Sequence, residues 1–261
     1  MSTVIRVSGL RKSYGANHAV DGVDLAIEQG EIFALLGPNG AGKTTTVEIL
    51  EGFRDRDSGD VQVLAFDPAM KGRAGQSWRD RIGIVLQSTH DAGDLTVLES
   101  VSHFATYYEN PKDPREVIEL VGLTEKADAL GRTLSGGQRR RLDVALGIIG
   151  NPELIFLDEP TTGFDPEARR AFWHLIRKLR DEGATILLTT HYLDEAEALA
   201  DRVAVINRGK IIEVSTPALL GGRATSLATV TWRDGTEIRS EKSANPTQFV
   251  TQLSAQFGGE V

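Results

Sequence analysis

The chain has 261 residues, of which 40% are hydrophobic and 25% charged, a composition ordinary for a soluble globular protein with one large α/β domain. The net charge of −8 argues against a nucleic-acid-binding surface, and the absence of cysteine excludes disulfides and thiolate metal sites. We expect no signal peptide, and no apolar stretch approaches the roughly 18 residues that a membrane-spanning helix requires.

The N-terminal segment, residues 3–27, predicts strands separated by turns. Apolar residues from Val4 predict a first short strand, and residues 10–15 predict a turn. From Val20 onward, apolar and polar residues alternate, as in a half-buried strand. On residue physics alone, Tyr14 is best interpreted as a partly buried aromatic side chain at a strand end.

A glycine-rich loop follows the short apolar strand at residues 33–36 and precedes a helical segment at 44–50. It fits the P-loop pattern G-x-x-x-x-G-K-[ST], in which glycines let backbone N–H groups surround a phosphate at a helix N-terminus. Lys43 can reach the β- and γ-phosphates, and the Thr44 hydroxyl can ligate Mg²⁺. The sequence therefore predicts a nucleoside triphosphate site. The residues expected to bind the nucleotide here are Gly37, Pro38, Asn39, Gly40, Ala41, Gly42, Lys43, Thr44 and Thr45.

Two more short strands are predicted, at residues 61–64 and 81–86, and the second ends at Gln87. The pattern then becomes helical, with a capping box that begins at Thr96. We expect residues from about 88 to 133 to form a helical insert in the α/β chain.

A second loop of small residues precedes another helix. Residues 134–138 read Leu-Ser-Gly-Gly-Gln, and an anion could bind where such a loop meets a helix N-terminus. One nucleotide on one P-loop has no evident use for a second such site. A two-fold dimer would give it one, with the loop of each copy meeting the γ-phosphate held by the other. Taken alone, the stretch is better interpreted as a helix N-cap at Ser135 with flexible glycines.

Carboxylates follow the apolar strand predicted at residues 154–158. Asp158 ends the strand, as does the Mg²⁺-binding aspartate of a Walker B strand, and Glu159 is placed to polarise an attacking water. A simple turn would also explain these two acidic residues. A further predicted strand, 185–190, ends at His191, which by itself is more often a solvated or core histidine than a catalytic one.

In order and spacing, these motifs resemble the ATP-binding subunit of an ABC transporter over residues 4–216. The loop at 134–138 matches the family signature and is the most specific element. The resemblance implies that Gln87 lies near Mg²⁺ and the attacking water, and that His191 contacts the γ-phosphate. It also implies that Tyr14 stacks on adenine. The remaining implied site residues are Ser135, Gly136, Gly137 and Gln138 of the signature, Asp158 for the metal, Glu159 as catalytic glutamate and Asp165 of the D-loop.

Residues 188–197 and 206–212 are similar to the drug-resistance class of exporter ATPases, including daunorubicin-type pumps. The expected fold is a P-loop core sheet with an N-terminal β subdomain and the helical insert, spanning residues 1–220. Residues 221–261 would be a small C-terminal extension, an incomplete α/β domain made of a hairpin and a helix. The hairpin would turn at Asp234-Gly235, and one apolar face of the helix would carry Phe249, Val250, Leu253 and Phe257.

The resemblance implies an ATP-sandwiched homodimer that uses ATP and Mg²⁺ to drive export of a small molecule or drug. The permease would be separately encoded, and the subunit would lie peripherally on the cytoplasmic face of the membrane. An ABC-type ATPase acting on ribosomes or nucleic acid is the alternative, although the chain has one cassette and no sustained heptads. A P-loop kinase or GTPase would leave residues 134–138 and His191 without a role.

The permease must contact a surface that senses the γ-phosphate. Gln87 is followed by a short polar stretch suited to a hinge. We therefore hypothesise that Gln87, Leu95 and Val97 border the groove in which the permease docks. The alternative is that Leu95 and Val97 belong only to the core of the insert.

Overall fold

A computed structural model describes residues 2–85, 93–222, 228–234, 237–243 and 245–256. The chain divides into two compact units, Met1–Pro217 and Ala218–Val261. Of the helices in these ranges, none combines the length and hydropathy that crossing a bilayer requires.

The first unit is built from strands in two sheets and from helices around them. Its strands are β1 (Thr3–Tyr14), β2 (Asn17–Glu28), β3 (Ile32–Leu36), β4 (Ser58–Val63), β5 (Ile82–Val85), β6 (Leu154–Asp158), β7 (Thr185–Thr190), β8 (Arg202–Asn207) and β9 (Lys210–Ser215). Its α-helices within the described ranges are α1 (Lys43–Leu50), α2 (Gly72–Arg79), α3 (Val97–Ala105), α4 (Pro114–Leu120), α5 (Gly136–Ile148), α6 (Pro166–Asp181) and α7 (Leu193–Leu199). The predicted α/β class with a P-loop core sheet is confirmed.

The larger sheet has the strand order β5-β6-β7-β3-β8-β9, and its pairs are parallel except for the antiparallel pair β8–β9. Its central strands are buried, nearly continuous apolar runs, as expected for parallel strands covered on both faces. In the register, Leu36 pairs with Thr190, and Asp158 pairs with Thr189. The segments that follow β3, β6 and β7 therefore leave the sheet at one edge, where ligands of such sheets bind.

The N-terminal subdomain is an antiparallel sheet with the strand order β2-β1-β4. The turn predicted at residues 10–15 is wrong, since β1 runs on to Tyr14. The pairing of β1 with β2 shifts between Val7 and Leu10, and Gly9 there has a positive φ of 58°. Such a bulge bends a strand without ending it, which explains why the local turn signal was misleading.

The predicted helical insert carries α3 and α4 and, in residues 93–133, two short 3₁₀ turns. The capping box at Thr96 forms, with the Glu99 N–H donating to the threonine hydroxyl at 3.1 Å. Val97 is fully buried, so for this residue the insert-core alternative holds, whereas Leu95 is 39% exposed. Gln87 lies outside the described residues.

The second unit contains the hairpin β10 (Ala228–Asp234) and β11 (Glu237–Ser243), followed by α8 (Pro246–Gln256). Its helix packs on the hairpin: the rings of Phe249 and Trp232 meet edge to face with centroids 5.7 Å apart, and Leu253 is buried. Val250, predicted on the same apolar face, is exposed. The predicted Asp-Gly turn residue Gly235 and the helix residue Phe257 lie outside the described residues.

Glu51 is one of the buried acidic residues of the first unit. Glu51, which follows α1, is only 6% exposed. Burial, together with the nearby Asp158 and Glu48, raises its pKa from 4.5 to about 8. Between these two values the unfolded chain releases a proton that the folded chain keeps. Folding stability therefore decreases as pH rises from about 4.5 to about 8, by at most about 1.4 kcal/mol per pH unit.

We expect Glu51→Gln, which replaces the carboxyl by a neutral group of similar shape, to remove this part of the pH dependence. The variant should be more stable than the wild type at about pH 8 and should lose most of that advantage at about pH 5. Denaturant unfolding at both pH values measures the difference, with the exposed Glu125→Gln as control. The same pH slope in Glu51→Gln and wild type would show that Glu51 ionises normally.

Candidate functional site

Two glycines of the P-loop are required by close backbone contacts. A Cβ on Gly42, which has a φ of 105°, would lie 2.3 Å from the carbonyl oxygen of Ala19 at the N-terminal end of β2. A Cβ on Gly37 would lie 2.3 Å from the carbonyl oxygen of Ile206 in β8. The loop is thus clamped between the two sheets, and only glycine fits at these two positions.

Lys43 opens α1 and turns back into the loop. Its Nζ donates to the carbonyl oxygens of Gly37 at 2.9 Å and Pro38 at 3.2 Å, and lies 3.4 Å from Glu159 Oε1. The lysine side chain is 4% exposed. The N-cap residue Gly42 has no side chain that could accept hydrogen bonds from the first-turn N–H groups of α1. These N–H groups and the helix dipole therefore add to the positive potential in the loop. The loop has the geometry of an anion-binding site, with the Lys43 ammonium group at its centre.

Beside the loop is a cavity of about 400 Å³, within the size range of ligand sites. Tyr14 is 43% exposed at its wall, and its ring carries two cations, with Arg54 Cζ 5.4 Å and Lys12 Nζ 5.8 Å from the centroid. The aromatic face is thus at the cavity rather than in the core. The lining residues are Tyr14, Asn17, Ala19, Asn39, Gly40, Gly42, Lys43, Thr44, Thr45 and Glu159.

The carboxylates after β6 are tied to β7. The Thr189 hydroxyl donates to Asp158 Oδ1 and accepts from the Glu159 N–H at 3.0 Å. Glu159 has a positive φ of 43°, a conformation that non-glycine residues seldom adopt. Its carboxylate lies between Lys43 and His191. Glu159 Oε2 is 3.3 Å from His191 Nδ1, but the two atoms do not have hydrogen-bond geometry. The turn directs Glu159 at the P-loop.

The oxygen donors near this turn are suited to Mg²⁺. Thr44 lines the cavity, and Asp158 is held by Thr189 at the strand end. In the part of the chain that the structure describes, no group of three His, Cys, Asp or Glu residues could hold a metal ion by itself. Mg²⁺ typically binds through one or two carboxylates together with substrate phosphates. Gln87, the third expected ligand, lies outside the described residues.

The second loop forms the N-terminus of α5. The Ser135 hydroxyl accepts from the Gln138 N–H at 3.3 Å, and the Gln138 side chain accepts from the Ser135 N–H at 3.0 Å. Ser135, Gly136 and Gly137 line a separate cavity of about 460 Å³, with Asp165 and Glu159 also in its wall. Asp165 caps α6 through its Oδ1. The structure therefore brings Glu159 to both loops but does not bring the two loops into one cavity.

Sequence reasoning missed several residues of this site. Asn17 and Ala19 line the first cavity, and Thr189 connects Asp158 to Glu159. Thr189 carried a weak signal, as one of two threonines that end an apolar run just before His191. The remaining contacts join residues far apart in sequence.

Comparison with known proteins agrees with this geometry. The family described as "ABC transporter" matches residues 20–162. The Nod factor export ATP-binding protein I of Ralstonia nicotianae is 43% identical, over 82% of this chain and 67% of its own length. The daunorubicin/doxorubicin resistance ATP-binding protein DrrA of Streptomyces peucetius is 42% identical, over 81% of this chain and 65% of its own length.

A solved structure extends the comparison to the fold. The cbiO1 protein of Clostridium perfringens, part of the ABC transporter complex cbiONQ, superposes with a TM-score of 0.75 and 29% identity. The superposition covers 84% of this chain and 90% of that one. By family match, relatives and fold, the chain belongs to the ABC transporter family and carries its ATP-binding cassette.

Proposed function

We propose that this chain is the ATP-hydrolysing subunit of an exporter, which drives a small molecule or drug through a separately encoded membrane permease. The observation that carries the proposal is the position of Glu159, held at the P-loop between Lys43 and His191. ATP hydrolysis is the activity of the cassette family to which the chain belongs. The printed names of the relatives, a Nod factor export protein and a daunorubicin/doxorubicin resistance protein, support export as the process.

ATP would bind with its phosphates in the loop of residues 37–44 and its adenine against Tyr14. The exposed ring at the cavity wall supports this orientation. Mg²⁺ would be held by Thr44 and Asp158, with Gln87 as further ligand, and would neutralise phosphate charge. Thr45 and the other loop residues would donate N–H groups to the phosphates.

Glu159 would act as the base that orients and polarises the attacking water. In this structure its carboxylate contacts Lys43 and lies near His191. The γ-phosphate would draw both side chains toward its own oxygens, and this would leave the Glu159 carboxylate to accept the proton of the water.

A second copy would complete each site. Residues 135–137 line a cavity apart from the P-loop, so in one copy they do not surround the same phosphate. In a two-fold dimer, Ser135, Gly136, Gly137 and Gln138 of one copy would bind the γ-phosphate held by the other, with Asp165 at the contact. The dimer would close on ATP and open after hydrolysis.

The permease would hold the subunit at the cytoplasmic face of the membrane. We assign the cassette to residues 1–220 and a separate small extension to 221–261. Leu95, partly exposed on the insert, remains a candidate for the docking groove next to Gln87. Action on ribosomes or nucleic acid is not favoured, given the net charge of −8 and the export relatives.

We expect Glu159→Gln to lower ATP turnover by a factor on the order of 10² or more, because the general base is lost. Nucleotide binding should survive, and the ATP-bound dimer should accumulate in size-exclusion chromatography. The exposed Glu125→Gln serves as the matched control and should hydrolyse ATP at the wild-type rate. ATP turnover near the wild-type rate in Glu159→Gln would contradict the assignment of Glu159 as the base.

We expect Tyr14→Ala to weaken ATP binding by about 0.5–1.5 kcal/mol, the size of a lost aromatic stacking contact. Tyr14→Phe keeps the ring and should bind like the wild type, whereas Lys43→Ala should impair phosphate engagement and hydrolysis more severely. Calorimetric titration with ATP measures all three variants. If Tyr14→Ala binds ATP unchanged, the ring does not contact adenine.

We expect the tagged full chain, purified from detergent-solubilised membranes of its source cells, to retain an integral membrane protein. Charge substitution at the exposed Leu95 tests whether this residue is part of the contact. If the Leu95 variant retains the membrane protein at wild-type levels, the docking groove for the permease lies elsewhere. Recovery of ribosomes in place of a membrane protein would contradict the exporter proposal.

A further inference from the structure

A buried arginine of α5 reaches the backbone on both sides of Glu159. Arg140 is 7% exposed. Its Nε donates to the carbonyl oxygen of Pro160 at 3.1 Å, and its Nη2 donates to the carbonyl oxygen of Asp158 at 3.0 Å. One planar guanidinium therefore bridges the residue before Glu159 and the residue after it.

The turn that Arg140 bridges is a strained one. A non-glycine residue in the left-handed region, here Glu159 with a φ of 43°, persists where its surroundings hold it. Thr189 accepts the Glu159 N–H at 3.0 Å, and the Thr161 hydroxyl donates to Glu195 at 2.7 Å. Arg140 holds the two flanking carbonyl groups. Together these contacts leave the Glu159 side chain as the part that projects toward the P-loop.

The charge of Arg140 makes these bonds strong ones. Burial lowers its pKa, while the carboxylates of Asp143, Asp158 and Glu195 act in the opposite direction. Asp143, in the same helix, lies 3.9 Å from the guanidinium. An arginine side chain keeps its proton in proteins, so the two carbonyl groups accept charge-assisted hydrogen bonds. Lysine could not supply the same two bonds, since it lacks the planar fork.

We propose that Arg140 is a positioning residue for Glu159, and that it connects the helix of the signature loop to the carboxylate that acts on ATP. The inference rests on the proposed role of Glu159. Because α5 begins directly after Ser135, a shift of that helix when the loop binds phosphate would move the turn that carries Glu159.

The alternative is that Arg140 only stabilises the fold. The two roles differ in kinetics: a positioning residue changes kcat while ATP affinity stays the same, and its effect depends on the group that it positions. A double-mutant cycle with Glu159 separates them, because residues that act as one unit show non-additive losses.

We expect Arg140→Gln to lower kcat of the full chain by about 10- to 10²-fold, the scale of a misplaced catalytic group, with the Kd for ATP within about twofold of wild type. The kcat of Arg140→Lys should lie between those of the wild type and Arg140→Gln. In the Glu159→Gln background, Arg140→Gln should change the residual rate by less than about twofold. Arg141→Gln is the matched control: its side chain donates to Val121 O at 3.2 Å, away from the turn, and kcat should be unchanged.

Unchanged kcat in Arg140→Gln would overturn the proposal. The proposal would also be wrong if Arg140→Gln lowered kcat by the same factor in the wild-type and Glu159→Gln backgrounds. If both Arg140 variants lose ATP binding and the cooperative thermal transition, Arg140 serves stability alone and the proposal is wrong. Wild-type turnover in Glu159→Gln by itself would instead overturn the proposed function. The single variants therefore distinguish failure of the inference from failure of the function.

Discussion

The site depends on the buried contact between Lys43 and Glu159, whose charged atoms lie 3.4 Å apart. Taking two charges out of water costs several kcal/mol for each ion, so removing one partner leaves the other uncompensated. Neither group can be placed by its own segment, since Lys43 follows β3 and Glu159 follows β6. Their contact requires both strands to end at one edge of the sheet, with β7 between them in register.

The same sheet edge places Glu159 between two loops. Glu159 lines both cavities, but the P-loop and the loop at Ser135 each face a cavity of their own. The chain thus has one loop at a helix N-terminus on each side of the same carboxylate. In the proposed two-fold dimer, the facing loops would surround a shared nucleotide, and Arg140 would connect the helix of the Ser135 loop to the turn that carries Glu159 within each copy.

Features made by local contacts could be read from the sequence. The P-loop pattern, the capping box at Thr96, the N-cap at Ser135 and the strand ending at Asp158 involve neighbours a few residues apart. Turn signals were less reliable: the bulge at Gly9 lets β1 continue, because pairing with β2 and β4 outweighs the local preference.

By itself, the sequence determined much of the strand and helix pattern and the residues of the two loops, because periodicity and short-range hydrogen bonding encode them. The family was indicated by the resemblance of its motifs, in order and spacing, to those of ATP-binding cassettes. Only the tertiary structure decided that Val97 is core, that Tyr14 faces a cavity and that Glu159 adopts a positive φ beside Lys43. It also showed that Arg140 holds this turn. Each of these features depends on contacts between segments that are distant in the chain. Such contacts form only once the sheets and helices have packed together.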